Sequence, residues 1–335
     1  MTNKWSDSRV CSVIKAYLTS KLFNKEGLTY NQIAEELSKI FPEYDFTGES
    51  VRHFWRDNKE TIKPLPSFDG RVNIENIKEI KTWNFKEEKI EVVCVADTHG
   101  LDQHAHYNIF RDKIDYIQDK DNAYILLVGD LINFATKNSV SSPYTSRDPR
   151  KEIKIISTEL LRVKNKILGA VGGNHDKDRG LRSDGLDPMD EIMAIIGLSD
   201  LYYFNIGVLN LKLSNVNYYT VFAHGTGRGI SRKKPSQLNS LEYLHHIYPS
   251  ADLYITGHTH LPGLYLTSIR DIDRIETKIR SIDQYCISIG SCMGYEDSYA
   301  EAKLLEPQPI KLAHIFLHDH LDNHGGKIVD VRFRN

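Results

Sequence analysis

The sequence lacks the features that mark membrane, secreted or strongly charged proteins. It has no apolar run long enough to span a bilayer, and its first ten residues, MTNKWSDSRV, contain no apolar signal-peptide core. Its four cysteines form no Cys-x-x-Cys pair, so nothing favours a disulfide framework. The formal net charge of −2 gives no overall attraction to DNA or anionic lipid. We therefore expect a cytoplasmic protein with no membrane partner.

The composition is that of an ordinary globular protein, and 335 residues are enough for one large domain and one small domain. Periodicity and turn signals divide the chain into three parts. We predict a helical module at residues 1–62, a linker at 63–88 and a catalytic domain at 89–335. The predicted linker carries two prolines, a glycine and a charged end, which are typical of connecting segments.

The first 62 residues predict three short helices. Apolar residues recur at helical spacing in residues 6–23. Thr29 is placed to cap a second helix that ends before Pro42, and residues 47–50 open a third helix. This order is similar to a helix-turn-helix unit, whose last helix enters the major groove of DNA. The residues that would then face DNA are Ser50, Arg52, His53 and Arg56.

Two features of this module count against DNA binding. Acidic and basic residues nearly balance, whereas a DNA reader is usually more basic. The connection between the second and third helices is also longer than the usual three to four residues. The alternative is a helical module for dimerisation or partner docking. Nucleic acid and a second copy of the chain therefore both remain open as partners.

Five apolar strands in the second part each end in glycine with aspartate, histidine or asparagine. The strand-end segments are D-x-H-G at 97–100, G-D at 129–130, G-N-H-D at 173–176, H-G at 224–225 and G-H-T-H at 257–260. In an extended segment, the side chains of residues two apart point to the same side. This predicts that Asp97 and His99 point to one side together, and that His258 and His260 do the same. Ligand sites form at the carboxyl ends of strands in α/β sheets. Seven oxygen and nitrogen ligands there could surround two divalent cations.

These motifs, in this order, resemble the calcineurin-like metallophosphoesterase superfamily over residues 90–335. The resemblance implies an α/β sandwich of two packed mixed sheets flanked by helices. It also implies two metal ions bridged by Asp130, and a hydroxide between them that attacks phosphorus. The implied ligands of the first metal are Asp97, His99, Asp130 and His260. The implied ligands of the second metal are Asp130, Asn174, His224 and His258.

The resemblance also assigns roles beside the metals. His175 would stabilise the transition state or protonate the leaving oxygen, and Asp176 would orient His175. One position departs from the family pattern, because many members carry a second aspartate where this chain has Asn133. Mixed oxygen and nitrogen ligands suit Mn²⁺, Fe or Zn²⁺ better than Mg²⁺, and the sequence does not choose among them. We take two Mn²⁺ ions as the first expectation, with Fe, Zn²⁺, Ni²⁺ and Mg²⁺ as alternatives.

A basic, glycine-rich segment, HGTGRGISRKKP, follows directly after His224. Glycine-rich backbone can approach a phosphate closely and arginine can bind it through two hydrogen bonds. We predict that Arg228, Arg232 and Lys233 contact the substrate, with Arg179 as a further phosphate contact. The alternative is a solvated basic loop.

We therefore interpret the chain as a metal-dependent phosphoesterase that acts on nucleic acid, as a nuclease or phosphodiesterase. The runner-up is a phosphodiesterase or phosphatase for a small nucleotide, with the helical module used for oligomerisation. A third hypothesis is a DNA-binding regulator whose metal site is only structural. The late segments 291–294 and 297–300 resemble those of phage-encoded relatives, which suggests a phage or prophage origin.

Overall fold

The computed structural model describes residues 4–6, 10–11, 14, 18, 29–58, 79–135, 148–225, 234–273 and 278–335. The chain divides into an N-terminal unit, Met1–Glu79, and a C-terminal unit, Ile80–Asn335. Most of the helix predicted at 6–23 and residues 63–78 of the predicted linker lie outside the described residues. Each unit is described by itself below.

The described part of the N-terminal unit contains helices α1 (Tyr30–Ile40) and α2 (Gly48–Asn58). Thr29 caps α1 as predicted, since its hydroxyl accepts a hydrogen bond from the Gln32 amide and its own amide donates to the Gln32 side chain. Thr47 caps α2 by accepting from the Ser50 amide at 3.1 Å. Both helices bury apolar faces in one small core. Its members include Val10, Ile14, Leu18, Ile33, Leu37, Val51 and Phe54.

Twelve strands are described in the C-terminal unit. In chain order they are β1 Lys81–Phe85, β2 Lys89–Val95, β3 Ala123–Val128, β4 Ile167–Val171, β5 Tyr202–Tyr203, β6 Ile206–Leu213, β7 Val216–Ala223, β8 Leu253–Thr256, β9 Gly263–Asp273, β10 Lys278–Ser288, β11 Leu312–Leu321 and β12 Lys327–Arg334. They form two sheets, in the orders β1-β6-β7-β8-β10-β9 and β12-β11-β2-β3-β4-β5. Both sheets mix parallel and antiparallel pairs.

The C-terminal unit also contains six described α-helices, three of which pack on the sheets. The six are α3 Tyr107–Asp119, α4 Pro149–Leu161, α5 Arg179–Asp184, α6 Pro188–Ile195, α7 Lys234–Ile247 and α8 Tyr299–Ala302. The helix α3 packs on β3 and α6 packs on β4, whereas α7 packs on β8 and β10 of the other sheet. Among the described helices, none has both the length and the apolar character needed to cross a bilayer.

The inner faces of the two sheets pack on each other and form the main core. The Phe222 and Tyr203 rings, one from each sheet, lie with their centroids 5.6 Å apart. The buried Tyr218 hydroxyl donates a hydrogen bond to the His318 carbonyl of the opposite sheet at 2.7 Å. The predicted sandwich of two packed mixed sheets with helices outside is therefore confirmed.

The predicted linker is wrong at its carboxyl end. Residues 81–85 form β1, which pairs in parallel with β6 as an edge strand. The Trp83 indole also donates a hydrogen bond across the sandwich to the Leu168 carbonyl at 3.0 Å. The sequence could not show this because the partner of β1 lies more than a hundred residues further along the chain.

Candidate metal centre

The strand ends of both sheets meet at one edge of the sandwich. The segments that follow β2, β3 and β4 belong to one sheet, and those that follow β7 and β8 belong to the other. Because the two sheets pack face to face, polar residues far apart in sequence become neighbours there. The structure brings together all the predicted metal-binding residues: Asp97, His99, Asp130, Asn174, His224, His258 and His260.

Most of these residues sit on left-handed backbone, which non-glycine residues rarely adopt. Such a conformation costs about 1–3 kcal/mol per residue and persists where the surroundings enforce it, typically at functional sites. The extended conformation expected for the D-x-H-G and G-H-T-H segments is therefore wrong, since the chain turns sharply at each. The residues with positive φ are Asp97 (52°), His99 (49°), Asp130 (53°), His258 (68°) and His260 (59°).

Hydrogen bonds between neighbouring loops hold this backbone in place. The Asp97 amide donates to the Gly129 carbonyl at 3.1 Å, and the His99 amide donates to the Asp130 carbonyl at 3.0 Å. The His258 amide donates to Asp97 Oδ2 at 2.8 Å, which ties the two sheets together at the site. These hydrogen bonds fix the relative positions of the loops that carry the ligand cluster.

The first cluster contains Asp97, His99 and His260, all buried. Asp97 Oδ1 lies 3.1 Å from His260 Nε2 and 3.9 Å from His99 Nε2. The two imidazole nitrogens are 3.3 Å apart. Within the described chain, Asp97 Oδ1 has no hydrogen-bond donor, although it is fully buried. A buried carboxylate oxygen without a donor, beside two imidazole nitrogens, fits a divalent cation.

The second cluster contains Asp130, Asn174, His224 and His258. His224 Nε2 lies 3.1 Å from Asp130 Oδ2 and 3.2 Å from Asn174 Oδ1. His258 Nδ1 lies 2.6 Å from the same Asn174 oxygen. The other nitrogen of His224, Nδ1, donates to the Val128 carbonyl at 2.8 Å, which directs Nε2 toward the cluster. Two oxygens and two imidazole nitrogens therefore converge on one point.

Asp130 belongs to both halves of the site. Its carboxylate lies close to His99 and His175 on one side and to His224 and His258 on the other. Close packing holds it there, because a Cβ added at Gly173 would lie only 2.1 Å from Asp130 Oδ1. The residues present therefore fit two divalent cations that share this carboxylate.

Burial and the neighbouring charges set the protonation of these groups. Burial raises the pKa of Asp97. Burial opposes the charge of Asp130 as well, but the surrounding histidines, with His224 the strongest, hold its pKa well below the usual value. Burial lowers the pKa of His99 to about 3, which leaves a neutral imidazole suited to a metal. Burial also disfavours the His224 cation, yet Asp130 outweighs it and raises the His224 pKa to about 10. A cation that binds here must displace that proton.

Asn133 holds His175, a contact that the sequence analysis missed. His175 Nδ1 donates to Asn133 Oδ1 at 2.7 Å. The amide orientation follows from its other contacts, since Asn133 Nδ2 donates to Asp102 Oδ2 at 2.8 Å and Arg179 Nη1 donates to Asn133 Oδ1 at 3.2 Å. The signal was present in the sequence, because Asn133 occupies the position at which the chain departs from the family pattern.

The expected role of Asp176 is wrong. Among the described residues, its buried carboxylate accepts hydrogen bonds from the backbone amides of Gly173, Lys177 and Leu131, and makes none with the His175 ring. The Lys177 and Leu131 amides lie 2.7 and 3.1 Å from it. Asp176 therefore braces the two loops that carry the centre, because its side chain points into the protein rather than toward His175.

The predicted substrate contacts are only partly described. Arg228, Arg232 and Lys233 lie outside the described residues. Arg179 is half-buried, and its Nη1 also donates to the Asn133 carbonyl at 2.6 Å. This guanidinium nitrogen therefore supports the loop behind His175 in the structure.

We expect Asn133→Ala to lower kcat for a phosphodiester about fivefold, because the variant loses a hydrogen bond worth about 1 kcal/mol and the His175 ring is no longer fixed. KM and bound metal should stay at wild-type levels. Asn210→Ala is the matched control, since Asn210 is a buried asparagine on β6 that bonds to Asn217. Steady-state kinetics with metal analysis measure this. Wild-type kcat in Asn133→Ala, or loss of metal, would contradict the assigned contact.

Comparisons with known proteins agree with the strand-end motifs. A family model described as calcineurin-like phosphoesterase matches residues 90–262, which is half of the chain. No curated protein matches the chain in sequence.

Solved structures also match, at low identity. One is a predicted phosphoesterase from Streptococcus pneumoniae TIGR4, 13% identical, covering 74% of this chain and 99% of that chain, with a TM-score of 0.33. A second is the calcineurin-like phosphoesterase YfkN from Bacillus subtilis, 14% identical, covering 73% and 90%, with a TM-score of 0.37. A third is Vps29 from Chaetomium thermophilum, 11% identical, covering 73% and 97%, with a TM-score of 0.32.

Proposed function

The chain belongs to the calcineurin-like phosphoesterase family, a family of metal-dependent hydrolases, and we propose that its substrate is a phosphodiester of nucleic acid. The observation that supports phosphate-ester hydrolysis is the buried cluster in which Asp130 is shared by two groups of imidazole and oxygen ligands, and the choice of nucleic acid is supported by the exposed basic residues of α2. Divalent cations held by such a cluster would neutralise the charge that develops on the phosphorus oxygens during ester hydrolysis.

The residues divide into two ligand sets. Bound divalent cations, of which we propose Mn²⁺, would polarise the ester and lower the pKa of a water molecule. The set on the first side would be Asp97, His99, Asp130 and His260. The set on the second side would be Asp130, Asn174, His224 and His258.

His175 would act on the leaving group. Its Nδ1 hydrogen is held by Asn133, so Nε2 is the ring nitrogen left for the substrate. The His175 and His99 rings lie with centroids 4.4 Å apart, which places His175 beside the ligand cluster. To act as a general acid, His175 would first take up a second proton from solvent at Nε2. The imidazolium would then pass that proton to the departing ester oxygen and return to the neutral ring.

The N-terminal unit would bring the enzyme to DNA. Arg52, His53 and Arg56 are exposed on α2, on the side opposite the buried Val51 and Phe54, which supports a contact with nucleic acid. The Ser50 hydroxyl instead donates to the Thr47 carbonyl at 2.8 Å, so it serves the start of the helix. We therefore assign the proposed DNA contact to the two arginines and His53.

Removal of both arginines tests this role in the full-length protein. We expect Arg52→Ala/Arg56→Ala to weaken duplex DNA binding and to reduce the slope of log affinity against log salt by about two, because two phosphate contacts are lost. Fluorescence anisotropy at several salt concentrations measures it. Lys39→Ala, which removes an exposed positive charge from α1, is the control. An unchanged salt slope would remove the DNA-binding role from α2.

A substrate comparison tests the proposal as a whole. With Mn²⁺, the protein should hydrolyse both bis-p-nitrophenyl phosphate and DNA, either single-stranded or double-stranded. Hydrolysis of the small diester without cleavage of DNA would contradict the nucleic-acid substrate. The runner-up would then apply, with a small nucleotide as substrate and the N-terminal unit as an oligomerisation module, which sedimentation analysis can measure.

A further inference from the structure

A cavity of about 340 Å³ opens beside the second half of the metal centre. Asn174 and His224, both proposed metal ligands, form part of its wall. A phosphate at the metals would therefore have one of its substituents next to this cavity. The volume lies at the lower end of the range for small-molecule pockets, roughly 300–1,000 Å³, so it suits one small group.

One wall of the cavity is apolar and carries an exposed ring. Ile206 lies at the start of β6, and Leu244 and Ile247 lie on α7. Tyr243 lines the same cavity, and this residue is 65% exposed. Ile247 is 57% exposed. Neither residue is needed to fill the core, so their apolar surface is available to a ligand.

Another part of the cavity lining is polar but almost neutral. Lys177 Nζ donates to the Phe204 carbonyl at 2.9 Å and to Asn205 Oδ1 at 2.8 Å, and it lies 3.4 Å from Asp178 Oδ1. Its charge is thus compensated, which gives little attraction to a second phosphate. Since the Asn205 oxygen is occupied, its amide hydrogens remain as donors, and the Asp178 carboxylate is an acceptor.

A nucleobase matches these walls. It is planar and neutral, its faces stack on aromatic rings, and its edge carries donors and acceptors side by side. We propose that this cavity binds the nucleobase of an ester whose phosphate lies at the metal centre. The proposal deepens the proposed function and rests on it, because the phosphate must occupy the metal site for the base to reach Tyr243.

Two ligands that differ only by a base test the assignment. Adenosine 5′-monophosphate and ribose 5-phosphate share the sugar and the phosphate. Calorimetry with the Mn²⁺-loaded full-length protein should show that wild type binds adenosine 5′-monophosphate at least tenfold more tightly than ribose 5-phosphate. This ratio of the two affinities is the quantity compared between variants. Tyr243→Ala should reduce that ratio by about tenfold, which is within the range for losing one stacked base.

Two matched variants separate stacking from general effects. Tyr243→Phe keeps the ring and should retain the wild-type ratio. Tyr248→Ala should also retain it, because Tyr248 follows the end of α7 and does not line the cavity. Equal affinity of wild type for both ligands, or an unchanged ratio in Tyr243→Ala, would overturn the proposal.

Cleavage of DNA, measured beside the binding, separates this proposal from the proposed function. If the ratio depends on Tyr243 but DNA is not cut, the base site stands and the nucleic-acid substrate fails. If DNA is cut but the ratio does not depend on Tyr243, the base site alone fails.

Discussion

Asp130→Asn is expected to lower Mn²⁺-supported hydrolysis of bis-p-nitrophenyl phosphate by on the order of a thousandfold or more. Asp130 is the carboxylate shared by both ligand clusters, so its replacement weakens both metal positions at once. An amide has no charge to offset the cations, and its nitrogen is not a ligand. We also expect the variant to lose at least one metal ion per chain, measured by elemental analysis after gel filtration.

The control for this variant is Asp252→Asn. Asp252 is also buried, but it pairs with Lys327 and accepts from the Tyr219 amide, away from the metal centre. This variant should lose stability while keeping its metal and its turnover. If Asp130→Asn kept wild-type turnover, the bridging role would be wrong. If both variants lost activity in parallel, the effect would come from burial of a carboxylate in general.

His175→Ala is expected to lower turnover by about 10²–10⁴-fold, the usual contribution of a general acid or base, while metal content stays the same. The contact of this residue with Asp130 is made by its backbone amide at 2.7 Å, and alanine keeps that amide. The lost group is therefore the ring that Asn133 holds. Single-turnover kinetics measure the loss of the chemical step, and elemental analysis measures any loss of bound metal.

This variant also tests the hypothesis of a regulator with a structural metal site. A structural site needs no histidine outside the ligand set, so under that hypothesis the substitution would leave the protein's function unchanged. Unchanged turnover would therefore remove His175 from the chemistry. Loss of metal would instead place His175 among the ligands.

Asp130→Asn and His175→Ala should also lose more turnover than Asn133→Ala. Asp130 acts on the cations directly, His175 acts on the substrate, and Asn133 acts only through His175. The losses expected for Asp130→Asn and His175→Ala are therefore both much larger than the loss expected for Asn133→Ala. If Asn133→Ala lost as much turnover as His175→Ala, His175 would act only when Asn133 holds its ring in place.

The strand-end motifs were accessible from the sequence because their signals are local. Each buried strand is a short apolar run, and each run ends in a glycine beside a polar residue. Strand ends in α/β sheets point to one edge, so the convergence of Asp97, Asp130 and His224 followed from the pattern. The caps at Thr29 and Thr47 depend on residues within three positions, and they were predictable for the same reason.

Other features depend on contacts between distant segments. The strand β1 exists because β6 is available to pair with it, and nothing in residues 81–85 alone requires a strand. The left-handed backbone at Asp97 and His258 is enforced by hydrogen bonds between loops, which no local pattern encodes. Asp176 was assigned to His175 because the two are adjacent in sequence, but adjacent side chains in a helical turn point in different directions.

By itself, therefore, the sequence determined the order of the strand-end motifs and the types of ligand that reach the centre, and the fold class was implied by the family resemblance that those motifs carry. The motifs and the ligand types follow from hydrophobic pattern and residue chemistry, which act over a few positions. Only the tertiary structure decided that Asn133 holds His175, that Asp176 braces two loops, and that α7 places Tyr243 beside the metal centre. Those relations come from the packing of two sheets and their helices, and packing joins residues whose separation along the chain carries no signal.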